Sequence, residues 1–231
     1  MALDIDMGLL LEQNGYSETY QKEFREKLEV INVVLQQNGY PLHQELEGLE
    51  HKGLEGDRLG SYSGAGRRLE RLKRFAVFIA REQRLPINNE EVEGHVGWVS
   101  ETEKLSITKD SIRHFEQVRH LLVFGIDTVY VPIEFDQVFS LSLADGSRFT
   151  VASGVWVAKI CESLCALMTL NEKDFWTYQD FFEQQEGEPF AGYSYFITEF
   201  PEFYDWGYGI SNTIRNCAQQ SVDYSVAFTI S

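Results

Sequence analysis

Residues capable of chemistry are plentiful in this sequence, yet few of them stand at the spacings that chemistry requires. Cys161 and Cys165 are four positions apart and would face the same way on a helix. Two thiolates so placed could begin a metal site, but a structural zinc takes four ligands. The third thiol, Cys217, is distant, and no histidine pair follows at ligand spacing. Both cysteines also fall within an apolar arc, so they read as core thiols and no bound metal is expected. Five histidines occur, His43, His51, His95, His114 and His120, and none forms the His-Glu-x-x-His pattern of a zinc protease. They are expected at surface or capping positions. No Gly-x-Ser-x-Gly elbow is present. Close carboxylates such as Glu90 with Glu91, or Glu134 with Asp136, define no acid–base pair, because such a pair is set by a distance across a cleft. No catalytic residue and no cofactor is assigned, and the chain leans away from enzymes.

The segment Gly60-Ser61-Tyr62-Ser63-Gly64-Ala65-Gly66-Arg67-Arg68 is glycine-rich and precedes a helix with arginines on its first turn. Free backbone N–H groups there could hold an anion, with charge-assisted bonds from the arginines. It lacks the Gly-Lys-Ser/Thr ending of a phosphate loop, and no strand is expected before it. An enzyme acting on a small anionic or phosphorylated substrate between Gly60 and Arg74 is therefore the alternative function; a flexible helix entry is the plainer reading of the segment.

Charge is unevenly spread. Residues 67–84 carry seven bases and two acids in a chain whose formal net charge is −16. At about 100° per residue, Arg67, Arg71, Arg74 and Arg81 fall within about 80° of arc, opposite an apolar stripe and with Phe78 among them. Two expectations follow. The arginines pair with the protein's own acids, from Glu90 to Glu93 or from the last third; or Arg67, Arg71 and Arg74 form a binding face with an exposed Phe78 as its anchor. A second candidate surface is the aromatic stretch from Phe190 to Tyr208, where Tyr193, Tyr195, Trp206 and Tyr208 offer contact area with polar tips. Sealing a core edge is its plainer role.

The elements that must position these groups read as follows. Tyr20, Phe24, Leu28, Ile31 and Leu35 form an apolar stripe, with Ser17 as cap and Asn38-Gly39 as a left-handed stop, which predicts a helix over 17–38. Leu11 to Tyr16 echoes Leu35 to Tyr40, and using the same stop twice makes residues 3–13 a first helix. Residues 41–66 read as a long loop. Leu69, Leu72, Phe75, Ala76, Ile79 and Ala80 predict a helix over 67–84, and a shorter helix starts at Thr108. His120 to Phe124 and Thr128 to Ile133 read as strands, with Pro132 forcing the second to an edge or an early exit. Val138 to Ala152 predicts a hairpin turning at Asp145-Gly146, with Phe139, Leu141 and Leu143 on its buried face. A helix follows Ser153, another follows Asn171, and a helix over 210–220 and a strand over 222–230 close the sequence.

Helices, then strands, then mixed elements predict an α+β fold: a helical N-terminal part followed by a mainly antiparallel sheet with flanking helices. Residues 1–231 are expected to form one domain, the alternative being two small ones divided near 86–105. With 43% hydrophobic and 13% aromatic residues the chain can build a core. Its acidity repels phosphate backbones and anionic membranes, so neither nucleic acid nor membrane is expected as a partner. Three cysteines and the absence of a basic, apolar N-terminal start make the cytoplasm the expected compartment. The leading expectation is a bacterial-type, non-catalytic binding protein. Its partner would be another protein, a basic one, with an inhibitor or immunity-type neutraliser as the most concrete case.

Overall fold

A computed structural model describes residues 2–11, 14–47, 62–82, 117–123, 127–168 and 202–230. Its centre is a six-stranded sheet with order β2-β1-β6-β3-β5-β4. The strands are β1 (Ala2–Met7), β2 (Tyr62–Ala65), β3 (Thr128–Val131), β4 (Phe139–Ser142), β5 (Arg148–Ser153) and β6 (Phe228–Ile230). Four of the five pairings are antiparallel and β3–β5 is parallel, as an α+β chain with a mainly antiparallel sheet requires. The helices are α1 (Glu18–Gln37), α2 (Gly66–Glu82), α3 (Gly154–Met168) and α4 (Glu202–Tyr224).

Side chains alternate across the sheet and so define two cores. Ile5 and Met7 of β1, Tyr130 of β3, Ala152 of β5 and Phe228 and Ile230 of β6 pack with α2, α3 and α4. Tyr130 and Phe228 stack there with ring centroids 4.7 Å apart. On the opposite face Val129, Val131, Phe149 and Val151 pack against Phe24, Leu28, Ile31 and Leu35 of α1. The stripe expected on α1 is thus the stripe it buries. Its ends also match: Ser17 Oγ accepts from the Tyr20 N–H at 3.3 Å, and Gly39 sits at φ 77°. The Tyr40 N–H donates to the Leu35 carbonyl at 2.9 Å and Gly39 N–H to Gln36 at 3.1 Å, a Schellman closure.

The hairpin turns at Asp145-Gly146, where Gly146 has φ 87° and Asp145 Oδ1 accepts from the Ser147 N–H at 2.8 Å. Phe139, Leu141 and Leu143 face the α1-side core but stay half-buried, because β4 is an edge strand with a neighbour on one side only. β3 stops at Val131, immediately before Pro132.

Four expectations are corrected. Residues 2–7 form a strand rather than part of a helix, because Ile5 and Met7 alternate with Asp4 and Asp6 and find partners on both sides. Gly15 does adopt a left-handed φ of 68°, but the stop it provides follows that strand. Tyr62–Ala65 is a strand paired with β1 rather than loop. Residues 117–122 are helical rather than extended; Val118, Leu121 and Leu122 are buried at helical spacing. Finally, α4 begins at Glu202, so Trp206 and Tyr208 belong to a helix, while only Phe228–Ile230 of the expected last strand is extended. The helices expected after Thr108 and Asn171 lie outside the described residues.

Residues 40–46 join the two cores around the sheet. Tyr40 packs on the α1 side and Leu46 on the other. Between them the Asn32 side chain accepts from the His43 N–H at 2.8 Å and donates to the His43 carbonyl at 2.9 Å. His43 Nε2 meets Glu45 Oε2 at 2.6 Å, and the Ala227 N–H donates to that same oxygen at 2.7 Å. Both side chains are almost wholly buried, and desolvation raises the Glu45 carboxyl above its ordinary value against the pull of these donors.

Candidate functional site: an acidic groove between the first helix and the sheet

Tyr20, Glu23, Phe24 and Lys27 stand at positions i, i+3, i+4 and i+7 of α1 and therefore share a face turned toward the sheet. Beneath them the register places Asp6 of β1 beside Thr229 of β6, and Thr229 beside Val129 of β3. The space between is a cavity of about 260 Å³, bordered by Asp6, Tyr20, Glu23, Lys27, Asp127 and Thr229 among others.

Its electrostatics follow from three carboxylates and one ammonium. Lys27 Nζ donates to Asp127 Oδ1 at 2.9 Å and Oδ2 at 3.1 Å, and lies 3.2 Å from Glu23 Oε1. The lysine side chain is only 11% exposed, whereas Glu23 and Asp127 are 53% and 54% exposed. Burial alone would lower the Lys27 ammonium, but the hydrogen bonds and charges of Asp127 and Glu23 outweigh it and raise the pKa. Asp6 is held from below: Tyr16 Oη donates to its Oδ1 at 3.1 Å. Burial and then the Asp6 charge raise the Tyr16 phenol far up, and burial likewise raises Tyr20, so both remain donors. This arrangement contains no nucleophile beside a base. It presents anionic oxygens on ordered elements, which is what recognition of a cation requires.

The sequence-derived candidates fall elsewhere. Arg67, Arg71 and Arg74 lie on α2, but the side chains of Arg67 and Arg71 are outside the described residues. Arg74 is half-buried, and the neighbouring Lys73 is buried with Nζ 2.8 Å from Glu70 Oε1. Phe78 is 2% exposed, which overturns its role as an exposed anchor: α2 is enclosed on more than its apolar stripe, so a residue opposite that stripe meets protein rather than water. Tyr193 and Tyr195 lie outside the described residues, as do the side chains of Trp206 and Tyr208. Of the Gly60–Arg68 segment, residues 62–65 are a strand and Gly66 opens α2. His43 and His120 are buried rather than superficial, and the other three histidines lie outside the described residues.

Cys161 and Cys165 are buried as expected, and burial pushes the Cys165 and Cys217 thiols up to about 11. Among the described residues no three His, Cys, Asp or Glu side chains are grouped to hold a metal ion. None of their helices is long and apolar enough to cross a membrane.

Sequence reasoning missed Asp6, Glu23, Lys27 and Asp127. The spacing of Tyr20, Glu23, Phe24 and Lys27 was the available signal. Asp6 could not join them while its segment read as a helix.

Among the described residues, the groove gathers the Asp6, Glu23 and Asp127 carboxylates around the Lys27 ammonium. The chain belongs to the family described as "Putative DNA-mimic protein", whose model matches residues 1–195. No curated protein and no solved structure matches it.

Proposed function

We propose that this protein binds a DNA-binding protein, a basic one, by offering carboxylates where that partner would otherwise meet phosphates. Membership of the DNA-mimic family is the observation that carries the reading. The groove supports the reading: Glu23 and Asp127 are more than half exposed, and Asp6 lines the same cavity. The net charge of −16 adds long-range attraction to a basic surface and keeps DNA itself away. In this reading the protein acts as a non-catalytic neutraliser in the cytoplasm, where DNA-binding proteins work.

The test is competition. DNA-binding proteins from the same genome are loaded with labelled duplex, and the purified chain is added at rising concentration. Release of duplex from at least one of them, weakening as salt is raised, is the expected result. Replacing Glu23 and Asp127 together by Gln and Asn should raise the concentration needed. If no duplex is released from any member of the panel at low salt, the reading fails.

A further inference from the structure

We infer that Lys27 is a positioning residue for the groove: from beneath, it holds the Glu23 and Asp127 carboxylates in place, so that a cationic partner meets two preset anions. The inference rests on the groove reading above and concerns how that groove is kept in order.

Three observations separate Lys27 from an ordinary surface cation. First, the surface cations Arg25 and Lys159, paired with Glu47 and Glu134, are 48% exposed, whereas Lys27 is 11% exposed and is enclosed as Lys73, paired within α2, is at 6%. Second, it is shared between elements. Glu23 lies one turn away on α1, while Asp127 comes from the entry to β3 and is itself held by the Thr150 N–H, which donates to its carbonyl at 2.9 Å. Third, the ammonium sits 5.6 Å from the centroid of the Phe149 ring, so the sheet also limits where it can go.

Lys27 is thus fixed on three sides, and its Nζ touches both Asp127 oxygens while leaving about half of each acid's side chain open to solvent. A side chain ordered before association loses less freedom on binding. The opposing effect is charge: one ammonium among three carboxylates weakens the field a partner feels. The two effects have different kinetic signatures. Loss of the ammonium should leave association at least as fast, through added negative charge, and should speed dissociation, through lost order.

The test uses the full chain and protamine, an arginine-rich protein that coats duplex DNA, with association and dissociation rates measured separately. Lys27→Met is expected to dissociate faster, on the order of tenfold, with association unchanged or faster, and Lys27→Arg should restore the slow dissociation because a guanidinium can also bridge two carboxylates. Lys27→Gln replaces Lys27→Met if the latter does not fold. If Lys27→Met dissociates as slowly as wild type while Glu23→Gln with Asp127→Asn weakens binding, the groove reading stands and the positioning role is overturned. If the Glu23 and Asp127 changes leave binding untouched, the groove itself is the wrong surface and the inference falls with it.

Discussion

His120 Nδ1 accepts a hydrogen bond from the Ser153 N–H at 3.0 Å, with both residues wholly buried. Ser153 is also where β5 gives way to α3: its Oγ donates to the Ile133 carbonyl at 2.7 Å and accepts from the Trp156 N–H at 3.2 Å. One imidazole thus fixes the junction between the 117–122 helix, the end of β3 and the start of α3.

That contact predicts acid sensitivity. Desolvation, with a smaller contribution from Arg119, lowers His120 to about 4. The folded state therefore takes up a proton less readily than the unfolded chain, so the stability is fully present above the ordinary histidine value of about 6.5 and declines as pH falls toward 4. Protonating Nδ1 would also turn an N–H against the Ser153 N–H. Denaturant unfolding between pH 7 and pH 4 should show a loss of about 3 kcal/mol attributable to this residue. His120→Asn should flatten the slope in that window, and an unchanged slope would contradict the assignment.

Ser153→Ala removes a helix cap and strands the Ile133 carbonyl in one step. A cost of about 2 kcal/mol is expected in chemical denaturation, with little change at Ser163, whose Oγ donates to the Lys159 carbonyl on the exposed side of the same helix.

Two glycines with left-handed backbones should respond unequally to alanine. A Cβ on Gly39 (φ 77°) meets nothing within 4 Å, so Gly39→Ala should cost only the backbone strain, about 1 kcal/mol. A Cβ on Gly8 (φ 57°) would lie 2.2 Å from Leu11 Cδ1, and Leu11 is fully buried. Gly8→Ala should cost about 3 kcal/mol. Thermal melts giving equal losses would refute the packing drawn around β1.

The cysteines should be slow to react. Burial pushes Cys165 and Cys217 up to about 11 and raises Cys161 well above its ordinary value, so little thiolate exists at neutral pH. Iodoacetamide at pH 7 should leave the native chain unmodified over a period that fully modifies it in denaturant. Rapid native labelling of Cys161 would show that α3 is not packed as described.

Where local pattern and tertiary demand agree, the sequence is legible. The stripe from Tyr20 to Leu35 is long, capped at both ends and buried as one face, and Asp145-Gly146 admits few structures besides a turn. β1 was obscured because its six residues are short enough to be absorbed by the Asn14-Gly15 stop that follows. In residues 117–122 the run His120-Leu121-Leu122 has no visible period, and only Val118 restores the helical spacing. The groove was least legible. Asp6, Glu23, Lys27 and Asp127 meet through strand register, in which Asp6 pairs with Thr229 and Thr229 with Val129, and no local window contains that information.

The pairing of β1 with β6 also sets an order in time. β1 lies between β2 and β6, so one of its edges waits for a strand made more than two hundred residues later. At ribosomal speeds that wait is roughly ten to forty seconds. During it the Tyr130 ring lacks Phe228 to stack on, and the groove lacks the Thr229 part of its floor. A nascent chain therefore carries Asp6 without the strand that sets it beside Thr229, and the cavity is complete only once Phe228–Ile230 has been added.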